Sequence, residues 1–265
     1  MAQFNVRNSP ISPHESDPAS TPSEAQRSNG LTGPRLVGGT SFSGKEALDP
    51  LQVQILAKAC MQGQEAARQV IHGWQRQGQS LTDIYLQGVA PCARLLGQWW
   101  SEDCLDFAMT TIGATRLQQL LHDFSAEFLQ ESPKPRNSWS LLLMTEPQAQ
   151  HSMGLFMLSE FFKQAGWNVT LAVPQDVAEF KRVFHSDWFD AVGISVSSDR
   201  HIETLAHLLP QLKQSADNLK TLLFLGGPMA LLDPGCLKGI AAEVVAEEAP
   251  ATVSWLTKKM RLGGS

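Results

Sequence analysis

The segment Leu141-Leu142-Leu143-Met144-Thr145-Glu146-Pro147-Gln148-Ala149-Gln150-His151-Ser152-Met153-Gly154 holds one imidazole in a short polar loop. The loop lies between an apolar run that reads as a buried strand and a glycine that opens a helix. A neutral imidazole is a good ligand for a borderline transition metal. It is equally at home as an ordinary loop residue, and His151 alone leaves both readings open. Two further segments carry polar or glycine chemistry at strand ends, Ser195-Val196-Ser197-Ser198-Asp199-Arg200 and Gly226-Gly227-Pro228. Hydroxyls and paired glycines at such places let a bulky group approach the backbone. The chain has no G-x-G-x-x-G segment and no lysine-containing phosphate loop, so a nicotinamide, flavin-dinucleotide or nucleoside-triphosphate reading has little support.

These three segments need a scaffold that brings strand ends together, and the second half of the chain predicts one. Strands are expected at Trp139–Met144, Trp167–Val173, Phe189–Ser195, Thr221–Leu225 and, weakly, Glu243–Ala246. Helices are expected at His151–Gly166, Asp176–Phe184, Ile202–Ala216 and near Pro250–Met260. Short apolar strands alternating with helices imply a parallel sheet covered on both faces. In such sheets ligands bind beyond the carboxyl ends of the strands, where all three segments fall.

The first half reads differently. Residues 1–46 are rich in Pro, Ser, Asn and Gly without periodicity and are read as a disordered tail. Residues 47–130 are helical, with apolar positions three and four apart: Leu51, Ile55, Leu56 and Cys60, then Ala67, Val70, Ile71 and Trp74. Ser80 with Asp83 marks a capped helix start. Pro91 is expected to bend the helix that follows. A fourth helix, Leu105 to Phe128, is expected to turn Phe107, Ile112, Leu117, Leu120, Leu121 and Phe124 inward. Four short-looped helices make a bundle. Residues 131–138 carry two prolines and three charges and read as a linker to the α/β domain at 139–262.

Composition narrows the class. A formal charge of −5 argues against binding nucleic acid through the chain's own phosphate contacts. The four cysteines, Cys60, Cys92, Cys104 and Cys236, form no C-x-x-C pair and suit a reducing cytoplasm. No apolar run approaches the roughly 20 residues of a membrane span, and the first residues carry no basic-then-apolar signal segment.

His151-Ser152-Met153-Gly154, Ser195 and Gly226-Gly227, in that order on successive strands, resemble the cobalamin-binding fold of methionine synthase, mutases and corrinoid proteins. The family pattern there is D-x-H-x-x-G, S-x-L and G-G. Leu96-Gly97-Gln98-Trp99-Trp100 is similar to the G-x-x-W segment of the family's helical cap. The fold the resemblance implies is a Rossmann-like, flavodoxin-like parallel sheet preceded by a four-helix cap. His151 is then the lower axial cobalt ligand, with Gly154, Ser195, Ser197, Gly226 and Gly227 beside the cofactor's nucleotide tail and Trp99 and Trp100 over the corrin. Read by spacing alone, two tryptophans at helical spacing are more often core than cofactor cover, and one of each is expected here. Two positions depart from the pattern: Ala149 stands where the aspartate belongs and Ser197 where the leucine belongs. Thr110-Thr111 also stand where light-sensing and methyl-transfer caps often have Glu-His. His122, eleven residues further on, is read as a structural or surface histidine.

With these departures the chain is most similar to the AerR/PpaA group of photosynthesis regulators, which lack a catalytic barrel and a DNA-binding domain. The resemblance implies a non-enzymatic antirepressor that binds adenosyl- or hydroxocobalamin, senses light or redox state and acts on a PpsR/CrtJ-type repressor, touching DNA only through that partner. A carboxylate behind the histidine tunes ligand basicity through a methyl-transfer cycle. Ala149 cannot, which weighs against a methyl-carrying corrinoid protein. A haem-binding sensor on the same scaffold stays open, because an imidazole ligates iron as readily as cobalt.

Overall fold

A computed structural model describes residues 47–149, 152–214 and 220–263, all within one compact unit, Gly44–Ser265. The tail assigned to residues 1–46 and the proposed ligand His151 lie outside the described residues.

The helical part begins with α1 (Pro50–Gln62), held by a reciprocal cap in which Gln52 N–H donates to Asp49 Oδ1 at 2.8 Å and Asp49 N–H donates to Gln52 Oε1 at 2.9 Å. Leu56, Ala57 and Cys60 are buried, whereas Leu51 and Ile55 are 63% and 47% exposed, so only part of the periodic apolar set turns inward. The second helix, α2 (Gln64–Arg76), buries Ala67, Ile71 and Trp74. Ser80 accepts from Asp83 N–H at 3.1 Å and starts α3 (Leu81–Asp83), which runs through a π-helical turn at Ile84–Val89 into α4 (Ala90–Ser101). The turn accommodates Pro91: Ala90 N–H reaches back five residues to Tyr85 C=O, and the proline lands at the start of the next α-helical run, where no N–H is needed.

Asp106 caps α5 (Phe107–Glu131) by accepting from Met109 N–H at 2.7 Å. Tyr85 stacks on Phe128 of α5 at 4.6 Å between ring centroids, and its hydroxyl donates to Leu121 C=O at 3.2 Å. Burial pushes the Tyr85 phenol well above its ordinary range. The Cys92 thiol is pushed up by its hydrogen bond with Cys60 and then by burial, so this thiol stays protonated and unreactive.

Five parallel strands follow: β1 (Ser140–Thr145), β2 (Asn168–Ala172), β3 (Ala191–Ser195), β4 (Leu222–Gly226) and the two-residue β5 (Glu243–Val244). Their order is β2-β1-β3-β4-β5, the doubly wound flavodoxin-like arrangement. The connecting helices are α6 (Met153–Gln164), α7 (Val177–Phe184), α8 (Ile202–Gln214), α9 (Pro228–Leu232) and α10 (Ala249–Gly263). Successive side chains of a strand point to opposite faces. Leu141 and Leu143 accordingly pack with α6, α10 and the helical part, and Leu142 and Met144 pack with α7 and α8. This two-sided burial is why the strands read as unbroken apolar runs. Among the described residues no helix is long and apolar enough to cross a membrane.

The helical part meets the sheet through α5 and α6. His122 lies beside Phe156 with ring centroids 4.2 Å apart, Phe128 beside Phe161 at 5.0 Å, and Gln164 Nε2 donates to Phe128 C=O at 2.8 Å. The residue numbers rise together, so the two helices run in the same direction. Between these contacts Glu160, fully buried, accepts from Ser125 Oγ and from Lys163 Nζ, the latter at 2.9 Å. Replacing Glu160 with Ala removes both interactions and is expected to cost about 2 kcal/mol of stability in urea unfolding. Amide exchange is expected to speed up selectively along the α5–α6 contact.

Candidate functional site

The site is built where the apolar alternation of the sheet stops. Thr145, Ser195 and Gly226 are register partners at the carboxyl ends of β1, β3 and β4. By the pleat they share the face covered by α6 and α10, two residues beyond Leu143, Gly193 and Phe224. Two hydroxyls and a missing side chain thus replace an apolar row. The Thr145 hydroxyl is buried and has no hydrogen-bond partner among the described residues. Among the described residues nothing lies within 4 Å of where a side chain on Gly154 would begin, in the first turn of α6, and at Gly226 the nearest atom is Val245 O at 3.6 Å. Thr145 itself is fully buried, and the room beside the row is at the two glycines.

The loops around this row are tied down. Val196 N–H donates to Gly226 C=O at 2.9 Å, Met229 N–H to Val196 C=O at 3.0 Å and Glu146 N–H to Ser195 C=O at 3.1 Å. Gly227 turns the chain out of β4 with φ +92°, and a Cβ there would meet Ser195 Oγ at 2.6 Å and Val196 N at 2.9 Å. Only glycine combines that backbone with so close an approach to the serine.

A residue absent from the sequence expectations sits at the centre of the loops. Glu146, 1% exposed, accepts from Ser197 N–H at 3.0 Å and from Ser197 Oγ at 2.5 Å through one carboxylate oxygen. Its second oxygen is buried with no partner among the described residues. Ser197, the position where the family pattern has leucine, is thus the residue that satisfies a buried carboxylate. The available signal was an acid directly after the apolar run of β1. The chain then turns through Gln148, whose φ is +62°, and Ala149 N–H donates to Glu146 C=O at 3.3 Å.

The helical part supplies the other side. Because α5 runs parallel to α6 and Phe156 is level with His122, the start of α6 is level with about residue 119 of α5. The first 12 residues of α5 therefore project about 18 Å past the carboxyl edge of the sheet. The end of α4 lies there too, since Cys104 and Leu105 N–H both bond Trp99 C=O across the short connection. Trp99 is partly buried against the helical core, while Trp100 is 53% exposed. Phe107 and Ile112, expected to face inward, are 73% and 40% exposed. They precede the stretch of α5 that packs on α6, so the apolar periodicity continues past the end of the layer beneath it. Leu231 and Leu232 of α9, directly after the glycine pair, are exposed as well. Asp199, Arg200 and His201 form a 3₁₀ turn into α8, as a solvated helix start does.

This architecture, a doubly wound sheet whose carboxyl edge lies under a helical projection, defines a class, and the comparisons agree with it. Residues 140–256 match the B12 binding domain family. The chain is 26% identical over 166 residues to an uncharacterized 20.5 kDa protein of Rhodobacter capsulatus from the bchF-crtJ intergenic region, a match covering 63% of this chain and 86% of that protein. That pair of findings agrees with the AerR-type resemblance of the motifs. The solved structure of the Methanosarcina barkeri monomethylamine corrinoid protein has the same fold, with a TM-score of 0.63 at 11% identity over 77% of this chain and 96% of that one.

The residues present fit a corrinoid with a buried nucleotide tail. The unpartnered Thr145 hydroxyl and the Ser195 hydroxyl offer hydrogen bonds, and Gly154 and Gly226 leave space beside them. Replacing Ser197 with Leu, which places the leucine of the S-x-L pattern there, is expected to destabilise the protein by about 1–3 kcal/mol, because Glu146 then loses the hydroxyl donor and keeps only the backbone N–H. Replacing Glu146 and Ser197 together with Leu is expected to cost less than the sum of the single changes, and a double-mutant cycle in urea checks it.

Proposed function

We propose that the protein is a cobalamin-binding regulator, with His151 as the lower axial ligand to cobalt. The observation that carries this reading is the row Thr145–Ser195–Gly226, polar, side-chain-free at Gly226 and with an unpartnered buried hydroxyl among the described residues, at the carboxyl edge of a segment that matches the B12 binding domain family. In this reading Ser195 and Thr145 bind the nucleotide tail, and Gly154, Gly226 and Gly227 leave it room. The projecting start of α5 and the end of α4 cover the upper corrin face with Trp99, Trp100, Phe107 and Ile112. Bound cobalamin would supply a cobalt centre whose ligation is sensitive to light and to redox state. The chain's own part is to hold the lower side through His151 and to pack apolar residues against whatever occupies the upper side. A change in that packing shifts the cap between two arrangements that a partner can distinguish.

A regulatory rather than a methyl-carrying role is supported by Ala149, which leaves the histidine without the carboxylate that methyl-transfer cycles use. The relative from the bchF-crtJ interval supports a photosynthesis-linked role, and the partner in this reading is a repressor of the PpsR/CrtJ type.

Reconstitution with hydroxocobalamin and adenosylcobalamin tests the reading. The protein is expected to retain a coloured cofactor through gel filtration, with a visible spectrum that differs before and after illumination. His151→Ala is expected to lose the spectrum of histidine-ligated cobalt while keeping its far-UV circular dichroism. Protein that stays colourless with both cobalamins but binds haemin would move the assignment to the haem alternative. The cobalamin-loaded protein is expected to weaken operator binding by a PpsR/CrtJ-type repressor in a gel-shift assay, and His151→Ala to leave the repressor bound.

A further inference from the structure

At the opposite end of the sheet the structure contains a cavity of about 640 Å³ that the cobalamin reading does not use. One wall is the segment before β1, with Lys134, Asn137 and Trp139, and the other is the outer stripe of α10, with Thr257, Lys258 and Arg261. Trp139 precedes the first residue of β1, whereas the cofactor row ends that strand, so the two sites are about 20 Å apart along the sheet.

The cavity wall is pre-formed. Residues 131–138, expected from sequence to be a plain linker, are bound to the end of α6: Lys134 N–H donates to Gln164 C=O at 3.0 Å and Asn137 N–H to Gly166 C=O at 2.9 Å. Gly166 has φ +90°, and a Cβ on it would lie 2.2 Å from Pro135 O, so the linker sits directly on that glycine. Asn137 Oδ1 accepts from Trp139 N–H at 3.1 Å, and the Trp139 ring is 5.1 Å from that of Trp167. On α10, Val253 and Leu256 are buried and Lys259 pairs with Glu243 at 2.5 Å, which leaves Lys258 and Arg261 on the cavity side.

The charge is one-sided. Lys134, Lys258 and Arg261 line the cavity with no Asp or Glu among the lining residues, in a chain whose net charge is −5. None of the three forms an ion pair among the described residues. Three unneutralised cations on two fixed walls raise the local concentration of anions. The volume lies in the range of small-molecule sites, and Trp139 with Ala165 and Val253 gives an apolar wall that a bare inorganic anion would not fill.

We propose that this cavity is a second ligand site, for an organic polyanion of nucleoside-phosphate size, with its phosphates on Lys134, Lys258 and Arg261 and its ring against Trp139. The geometry favours a small ligand over an acidic protein segment, because the cations converge on one cavity instead of spreading along a groove.

Titration of the full-length protein with adenosine diphosphate, followed by calorimetry and tryptophan fluorescence, tests it. Binding is expected at about 100 µM or tighter, with adenosine and inorganic phosphate each at least about tenfold weaker. The exposed pair Lys258→Ala and Arg261→Ala is expected to weaken adenosine diphosphate binding by about tenfold or more, with circular dichroism and cobalamin uptake unchanged. Absence of binding up to about 1 mM overturns the proposal, as does undiminished binding in the double variant. Binding of polyglutamate but not adenosine diphosphate at these cations also overturns it, in favour of an acidic protein partner.

Discussion

Glu160 joins α5 to α6 in the interior, and the placement of the whole helical part follows from that contact. It takes Ser125 from one helix and Lys163 from its own, in a layer of aromatic rings that includes Phe128, Phe161 and Phe156. Leaving a buried carboxylate without its donors is costly, so the pairing with Ser125 favours one register of α5 along α6. Sliding α5 by one turn, about 5.4 Å, would part Glu160 from Ser125. The projection of α5 beyond the sheet is therefore a consequence of one interior polar contact together with helix length. The same contact decides how far the cap stands from the strand ends.

Helix α6 also ties the cap to the proposed ligand loop. It starts at Met153, two residues after His151, and carries Phe156 against His122. Any displacement at the loop is transmitted to α6 as a rigid element, and from α6 to α5 through packed rings. A cofactor under the projection would push on the far end of the same helix. The scaffold therefore offers a short mechanical route between the upper and lower sides of a bound corrin, made of helices instead of loops.

Much of this was legible in the sequence because burial on both faces leaves a plain record. Leu141–Met144, Ala191–Ile194 and Leu222–Leu225 are apolar at every position but Gly193, and each proved to be a strand of the parallel sheet. Ser195, Gly226 and Gly227 were legible as a group because the apolar runs end at those residues. Phe107 and Ile112 misled for a physical reason: helical periodicity reports a shared face, not whether another layer lies beneath it. The tail and His151 lie outside the described residues, so neither reading is decided by the fold.

Glu146 and the segment 131–138 were illegible for a different reason, since their meaning depends on partners distant in sequence. Glu146 looks like a solvated strand end until β3 is laid beside β1, which brings Ser197 onto it across 51 residues. The pair then explains the missing leucine of the S-x-L pattern. A leucine at 197 suits a neighbour that is apolar or solvated, while a buried carboxylate at 146 requires donors, and Ser197 adds a hydroxyl to the backbone N–H that either residue would offer. Glu146 leaves one oxygen unmatched among the described residues and sits three residues before Ala149. The chain thus lacks the family's carboxylate two residues before the histidine, yet it has buried another at the root of the same loop.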